Sequence, residues 1–140
     1  MRLLNWESQG HIRKRVRMTV KDVTPDELEK LIKQAKLVIV DCWAPWCGPC
    51  HALLPVLEEL QQKYSSNRNI AFVKLNTDTH KSYASQMRIY SIPCVLFFHN
   101  GQPTSFIEPV RYGMKEKRTD RLIGVRPIRD YENVIKQILG

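Results

Sequence analysis

Two of the four cysteines, Cys47 and Cys50, are separated by two residues in Trp46-Cys47-Gly48-Pro49-Cys50. The pair follows an unbroken apolar run, Leu37 to Val40, and opens a segment of helical periodicity, so it falls where a buried strand turns into a helix. At a helix N-terminus the unpaired amides and the positive end of the dipole favour an anion, and a thiol placed there has its pKa lowered. The thiolate is the nucleophile of disulfide exchange. Cys47 is therefore the expected attacking thiol. Cys50, one turn along and slightly inside, is the expected resolving thiol, close enough to attack a mixed disulfide formed by Cys47 and release a reduced substrate. Pro49 stiffens this turn and supplies no competing amide.

Two other chemistries use the same spacing. Half of a zinc site is one, but a second C-x-x-C or a histidine pair at ligand spacing is missing, and no metal is expected. Cys47-x-x-Cys50-His51 also fits the c-type haem attachment pattern, which needs an oxidising compartment and an axial ligand. The sequence has no glycine-rich phosphate loop, no H-E-x-x-H and no G-x-S-x-G.

The elements that must position the dithiol read as follows. Residues 1–14 keep no sustained period and contain Gly10, which suggests a loosely docked arm, and Arg15 to Lys21 alternates as a strand would. Thr24-Pro25-Asp26-Glu27 is a capping box that starts a helix from Pro25 to about Gln34, with Leu28, Leu31, Ile32 and Ala35 on one face. Leu37 to Val40 then reads as a strand buried on both sides. Pro49 to Tyr64 forms a helix carrying Pro55, Ile70 to Leu75 a strand, Lys81 to Arg88 a short helix and Cys94 to His99 a strand ending at the hairpin signal Asn100-Gly101. Because Pro103 to Lys117 holds Pro109, Gly113 and mixed charge, the return strand is expected only at Arg118 to Val125. Pro127 opens a last helix with Tyr131, Val134, Ile135 and Ile138 on one face. The order is β-α-β-α-β-α-β-β-α.

A chain of 140 residues makes one domain, and its longest apolar runs fall far short of the roughly 18 residues that span a bilayer. No membrane association is expected. Four cysteines and a first 20 residues without an apolar core point to a reducing compartment. The net charge is +8, and the excess is peripheral: residues 1–21 carry six cations against Glu7, residues 22–100 balance, and the remainder lies after residue 100. Such a field favours acidic partners without determining a fold.

Taken together, these residues resemble the thioredoxin family. The likeness runs from about Val20 to Leu139: Val38-Ile39-Val40-Asp41 leads through Trp43-Ala44 into Trp46-Cys47-Gly48-Pro49-Cys50, followed by Pro55, Lys74-Leu75-Asn76, Ile92-Pro93, Asn100-Gly101 and Gly124. It implies an α/β thioredoxin fold over residues 15–140, a central mixed β-sheet flanked by helices, with a basic N-terminal extension over 1–14 and an insertion over about 103–117 before the last strand. The implied activity is protein disulfide reduction by a thiol-disulfide oxidoreductase that uses no bound cofactor and receives electrons from a thioredoxin reductase. The expected partners are disulfide-containing proteins, and a cytoplasmic monomer that does not bind nucleic acid is the expected context.

The resemblance also assigns residues. Asp41 matches a buried carboxylate beneath the dithiol that helps deprotonate Cys50; burial should raise its pKa and poise it as a base near neutrality. Lys74 matches the lysine that offsets that charge. Pro93 matches a cis-proline facing the cysteines, Ile92 offers backbone hydrogen bonds to an extended substrate, and Trp46, Gly48, Pro49 and Gly124 line the docking groove. Three positions depart from the family: Cys42 replaces an aromatic residue, Cys94 a threonine, and His51 a lysine. Cys42 is expected to be a small buried hydrophobe; Cys94, beside Pro93, is either that or an auxiliary redox thiol; His51 is read as an exposed helix residue that can tune the thiolate. Two alternatives stand beside the reductase. One is a binding module using its basic arms, with Trp6 and Tyr112 able to stack on bases, to recruit an acidic partner or nucleic acid. The other is an oxidant or isomerase of the same fold, which Gly48-Pro49 disfavours.

Overall fold

The computed structural model describes residues 19–110 and 113–140. The expected arm, Trp6, Tyr112 and most of the strand expected over Arg15 to Lys21 lie outside these residues. The first described strand, β1, is Lys21–Asp22. Helix α1, Pro25–Gln34, begins at the capping box: the Glu27 amide donates to Thr24 Oγ1 at 3.1 Å and the Thr24 amide to Glu27 Oε1 at 2.9 Å. That backbone bond holds the exposed Glu27 carboxyl below its ordinary pKa. Strand β2 is Leu37–Trp43, helix α2 is Gly48–Lys63, which runs through Pro55, and strand β3 is Ile70–Asn76. Helix α3, Lys81–Gln86, strand β4, Cys94–His99, and helix α4, Ile128–Leu139, complete the frame.

The main sheet is mixed. β2 lies at its centre, parallel to β3 with Asp41 opposite Lys74, and antiparallel to β4 with Cys42 opposite Cys94. β1 adds to the far edge of β3 in parallel. Alternation along β2 sorts its side chains to two cores. Leu37 and Ile39 pack with Leu53 and Leu57 of α2 and Tyr131 and Val134 of α4. Val38, Val40 and Cys42 pack with Leu28 and Ile32 of α1. Six of the seven β2 residues are buried, as a strand covered by helices on both faces requires.

The region after β4 differs from the sequence reading. The return does not wait until Arg118: Asn100 and Gly101 take the positive φ values (54° and 87°) of a two-residue hairpin turn, and strand β5, Gln102–Pro103, pairs with β4 at once. Pro103 is tolerated because it stands on an edge strand, where its missing donor faces away from the ladder. Strand β6, Phe106–Ile107, follows and pairs with β7, Arg118–Thr119, in a separate ladder. Phe106 is buried edge-on against Phe97, with ring centroids 5.0 Å apart. Only β8, Arg121–Ile123, shares the outer edge of β4 beside β5. The expected single strand over Arg118 to Val125 is thus two short ones, and the excursion that mixed charge and proline suggested over 103–117 narrows to the loop between β6 and β7.

Candidate active site

The dithiol stands where β2 ends and α2 begins. Cys47 is the N-cap of α2, and its sulfur accepts from the Cys50 amide at 3.2 Å. An N-cap side chain ordinarily takes a proton from the second or third helical residue. Here Pro49 occupies the second position and has no amide, so the Cys50 N–H is the donor left for the sulfur. The two sulfurs are joined in a disulfide, with Cα atoms 5.3 Å apart. This is the oxidised form of an exchange dithiol. Cys47 and Cys50 are both buried, so burial does not distinguish attacker from resolver; the cap position does.

Three backbone features lie at or next to Ile92, which packs against the disulfide. The Ile92-Pro93 bond is cis, the Ile92 carbonyl oxygen lies 3.8 Å from Cys47 Sγ, and the Gly124 amide donates to the Pro93 carbonyl at 2.9 Å. Gly124 has φ +86°, a conformation that side-chain-bearing residues rarely adopt, and the turn out of β8 depends on it. Trp46 is 70% exposed, yet its indole is held, donating to Asp78 Oδ2 at 2.9 Å. It borders a cleft of about 370 Å³ against α3, shared with Ile89, Tyr90 and Ile92. Gly48 is exposed at the first helical position with open space around it.

Asp41 is 1% exposed, and neither of its oxygens has a hydrogen-bond partner. Burial pushes its pKa up to about 7, against a weaker downward pull from Lys74 and a further upward push from Asp22. Lys74 stands beside Asp41 in the β2–β3 register, but its ammonium reaches Asp22 at 3.5 Å and lies 4.3 Å over the Trp43 ring. It therefore offsets the Asp41 charge through space rather than as an ion pair. Trp43 completes the arrangement by donating from Nε1 to Asp22 Oδ1 at 2.9 Å. Tyr131, buried against the same face of the sheet, also has an unpartnered hydroxyl, and burial followed by the Asp41 charge raises its pKa.

His51 packs edge-on to Trp43, with centroids 6.1 Å apart, and its Nε2 donates to the Pro45 carbonyl at 2.8 Å. It ties α2 back to the turn that precedes the dithiol. Cys42 and Cys94 are buried free thiols directed to the opposite face from Asp41. Burial raises both, Cys94 to about 11 despite the nearby Arg121 guanidinium, and Cys42 well above its ordinary value. Sequence reasoning missed Asp22, Asp78 and Tyr90. Asp78 had a local signal: in Asn76-Thr77-Asp78 the Asn76 side chain accepts from the Asp78 amide at 2.8 Å, a turn that presents the carboxylate to Trp46. Asp22 and Tyr90 had none.

The family model described as Thioredoxin matches residues 19–119. A thioredoxin of Coprinus comatus is 32% identical over 102 residues, covering 73% of this chain and 81% of that protein. The chloroplastic M-type thioredoxin of Spinacia oleracea is 46% identical over 84 residues, 59% of this chain; the match spans 45% of the spinach protein, less than half its length. Among solved structures, oxidised thioredoxin from Plasmodium falciparum superposes with a TM-score of 0.64 at 27% identity, covering 87% of this chain and all of that one. Oxidised mitochondrial thioredoxin 3 of Saccharomyces cerevisiae gives 0.64 at 26% identity, covering 84% and 93%.

Proposed function

The chain belongs to the thioredoxin family, and from that premise we propose that it is a protein disulfide reductase working through Cys47 and Cys50. The observation that carries this reading is the bonded Cys47–Cys50 pair at the start of α2, with the Cys47 sulfur accepting the Cys50 amide. In the reduced protein that amide and the helix dipole favour the Cys47 thiolate. The thiolate attacks one sulfur of a substrate disulfide and expels the other as a thiolate, leaving a mixed disulfide beside Pro93. Cys50 gives its proton to Asp41 and attacks Cys47 Sγ. The second substrate thiolate leaves, and the Cys47–Cys50 bond closes. A carboxyl whose pKa is near 7 is suited to that transfer, since it is unprotonated often enough to accept and basic enough to take the proton.

The substrate groove in this reading is formed by Trp46, Gly48, Pro49, Ile92, Pro93 and Gly124, with the Ile92 backbone pairing to an extended substrate segment. Two electrons restore the dithiol, and a thioredoxin reductase is the proposed donor. The compartment this cycle requires is a reducing one, and the cytoplasm is the location proposed; among the described residues no helix is long and apolar enough to cross a membrane. The test is an insulin-type reduction assay with dithiothreitol as donor, comparing the intact chain with Cys47→Ser. Catalysis is expected from the first only. A redox titration gives the direction: a potential well above the cytosolic glutathione poise would make the chain an oxidant instead.

A further inference from the structure

Among the described residues, six large apolar side chains are exposed: Trp46, Tyr90, Val110, Met114, Ile123 and Val125. They are not scattered. Trp46 and Tyr90 border the cleft against α3, and the other four line a second cavity of about 770 Å³. One backbone bond links their walls: Ile92 lines the first, Ile123 and Val125 line the second, and the Gly124 amide is bonded to the Pro93 carbonyl. Clustered exposed apolar surface marks an interaction site, whereas single exposed apolar residues do not.

The second cavity is lined by residues 108–110, 114, 115 and 117, between β6 and β7, and by residues from Ile123 to Asp130, and the reductase mechanism gives the first group no task. Its base is fixed. The Glu108 amide donates to the Lys117 carbonyl at 2.8 Å, the Gln137 side chain bonds both backbone groups of Ile107, and Arg126 joins Glu108, Asp130 and the Pro109 carbonyl. Arg126 and Lys117, whose ammonium lies 3.8 Å from Glu108, are together matched against the cavity's two carboxylates, so Lys115 and Arg129 set the sign of what remains. The result is an apolar floor with a basic rim, continuous with the edge of the dithiol groove.

We propose that this cavity is the specificity surface for the protein disulfides the chain reduces, taking the stretch of substrate polypeptide next to the attacked cysteine, one that is apolar and bears carboxylates. This rests on the reductase reading above. An extended segment paired to the Ile92 backbone sends alternate side chains to opposite sides, and those on the Gly124 side fall onto Ile123, Val125 and Met114. Carboxylates farther along meet Lys115 and Arg129 on the rim, which steer the encounter and fix the register.

The test uses the full chain with dithiothreitol as donor and three probes: bis(2-hydroxyethyl) disulfide, and two cystine peptides with identical apolar residues beside the cysteine and either two glutamates or two lysines beyond them. We expect the glutamate peptide to be preferred in kcat/KM by about fivefold at low salt, as two exposed charge contacts allow, and the ratio to approach one in the Met114→Ser, Lys115→Glu double variant. Equal rates for the two peptides, or a preference that survives in that variant, would overturn the proposal. Reduction of the small disulfide without peptide preference overturns this inference alone; failure to reduce even the small disulfide removes the reductase reading and this with it. A concentration-dependent dimer that the double variant abolishes would assign the face to a second copy of the chain, and would also overturn it.

Discussion

The four cysteines form two pairs, and the two pairs are opposites. Cys47 and Cys50 are three apart in sequence and bonded; Cys42 and Cys94 are 52 apart, stand opposite each other across β2 and β4, and remain free thiols. Both pairs are buried, so exposure does not separate them. What separates them is the provision for negative charge. The first pair has a helix N-terminus and an aligned amide; the second has a strand interior where desolvation outweighs the pull of the nearby Arg121 guanidinium. Proximity makes two cysteines a pair, and local electrostatics make the pair reactive.

The comparison can be broken in several ways. The largest expected effect is at Cys47: Cys47→Ser should lower disulfide reduction by on the order of a thousandfold or more, measured as turnover in the dithiothreitol-coupled assay. Comparable loss from Cys42→Ala would put the sheet pair in the mechanism and end the distinction.

Asp41 comes next. Its carboxyl titrates near 3.8 when unfolded and about 7 when folded, so between those values the folded state holds the extra proton and stability falls as pH rises. Asp41→Asn should therefore stabilise the protein by on the order of 4 kcal/mol above pH 7 and by almost nothing below pH 3.8, read by denaturant melts at both ends. A stabilisation independent of pH would show that the carboxyl is not the origin of the effect. The same variant should slow the release of mixed disulfide, since Cys50 loses its proton acceptor.

Alkylation of the reduced chain sharpens the contrast directly. At neutral pH Cys94 should react about a hundredfold more slowly than an ordinary thiol, from thiolate fraction alone, while Cys47 reacts faster than one, as followed by mass spectrometry of the labelled peptides. The smallest effect on turnover is expected from Cys42→Val, which puts a slightly larger apolar side chain in a packed core and should cost roughly 1–3 kcal/mol of stability while leaving turnover unchanged.

Much of this was legible in the sequence because the signals are local. The capping box at Thr24, the apolar run of β2, the strand-to-helix placement of the dithiol and the Asn100-Gly101 turn each involve neighbours in the chain, and each is found where it reads. The segment after Gly101 was misread because prolines and charges normally signal a loop, yet Pro103 can sit on an edge strand and Phe106 finds burial against Phe97, a partner nine residues back. Lys74 was legible as a neighbour of Asp41 but not as a partner of Asp22 and Trp43, because a long side chain chooses its contact in three dimensions.

The sequence by itself determined which two cysteines stand at a helix N-terminus, since that terminus and the residues that form it are set within a few positions of each other. The tertiary structure alone decided that the other two cysteines would face each other, that Asp41 would lie buried without a hydrogen-bond partner, and that the six large apolar side chains exposed among the described residues would line two clefts. Sheet register and helix docking make these choices. They join residues tens of positions apart, and no local pattern in the chain encodes the distance between them.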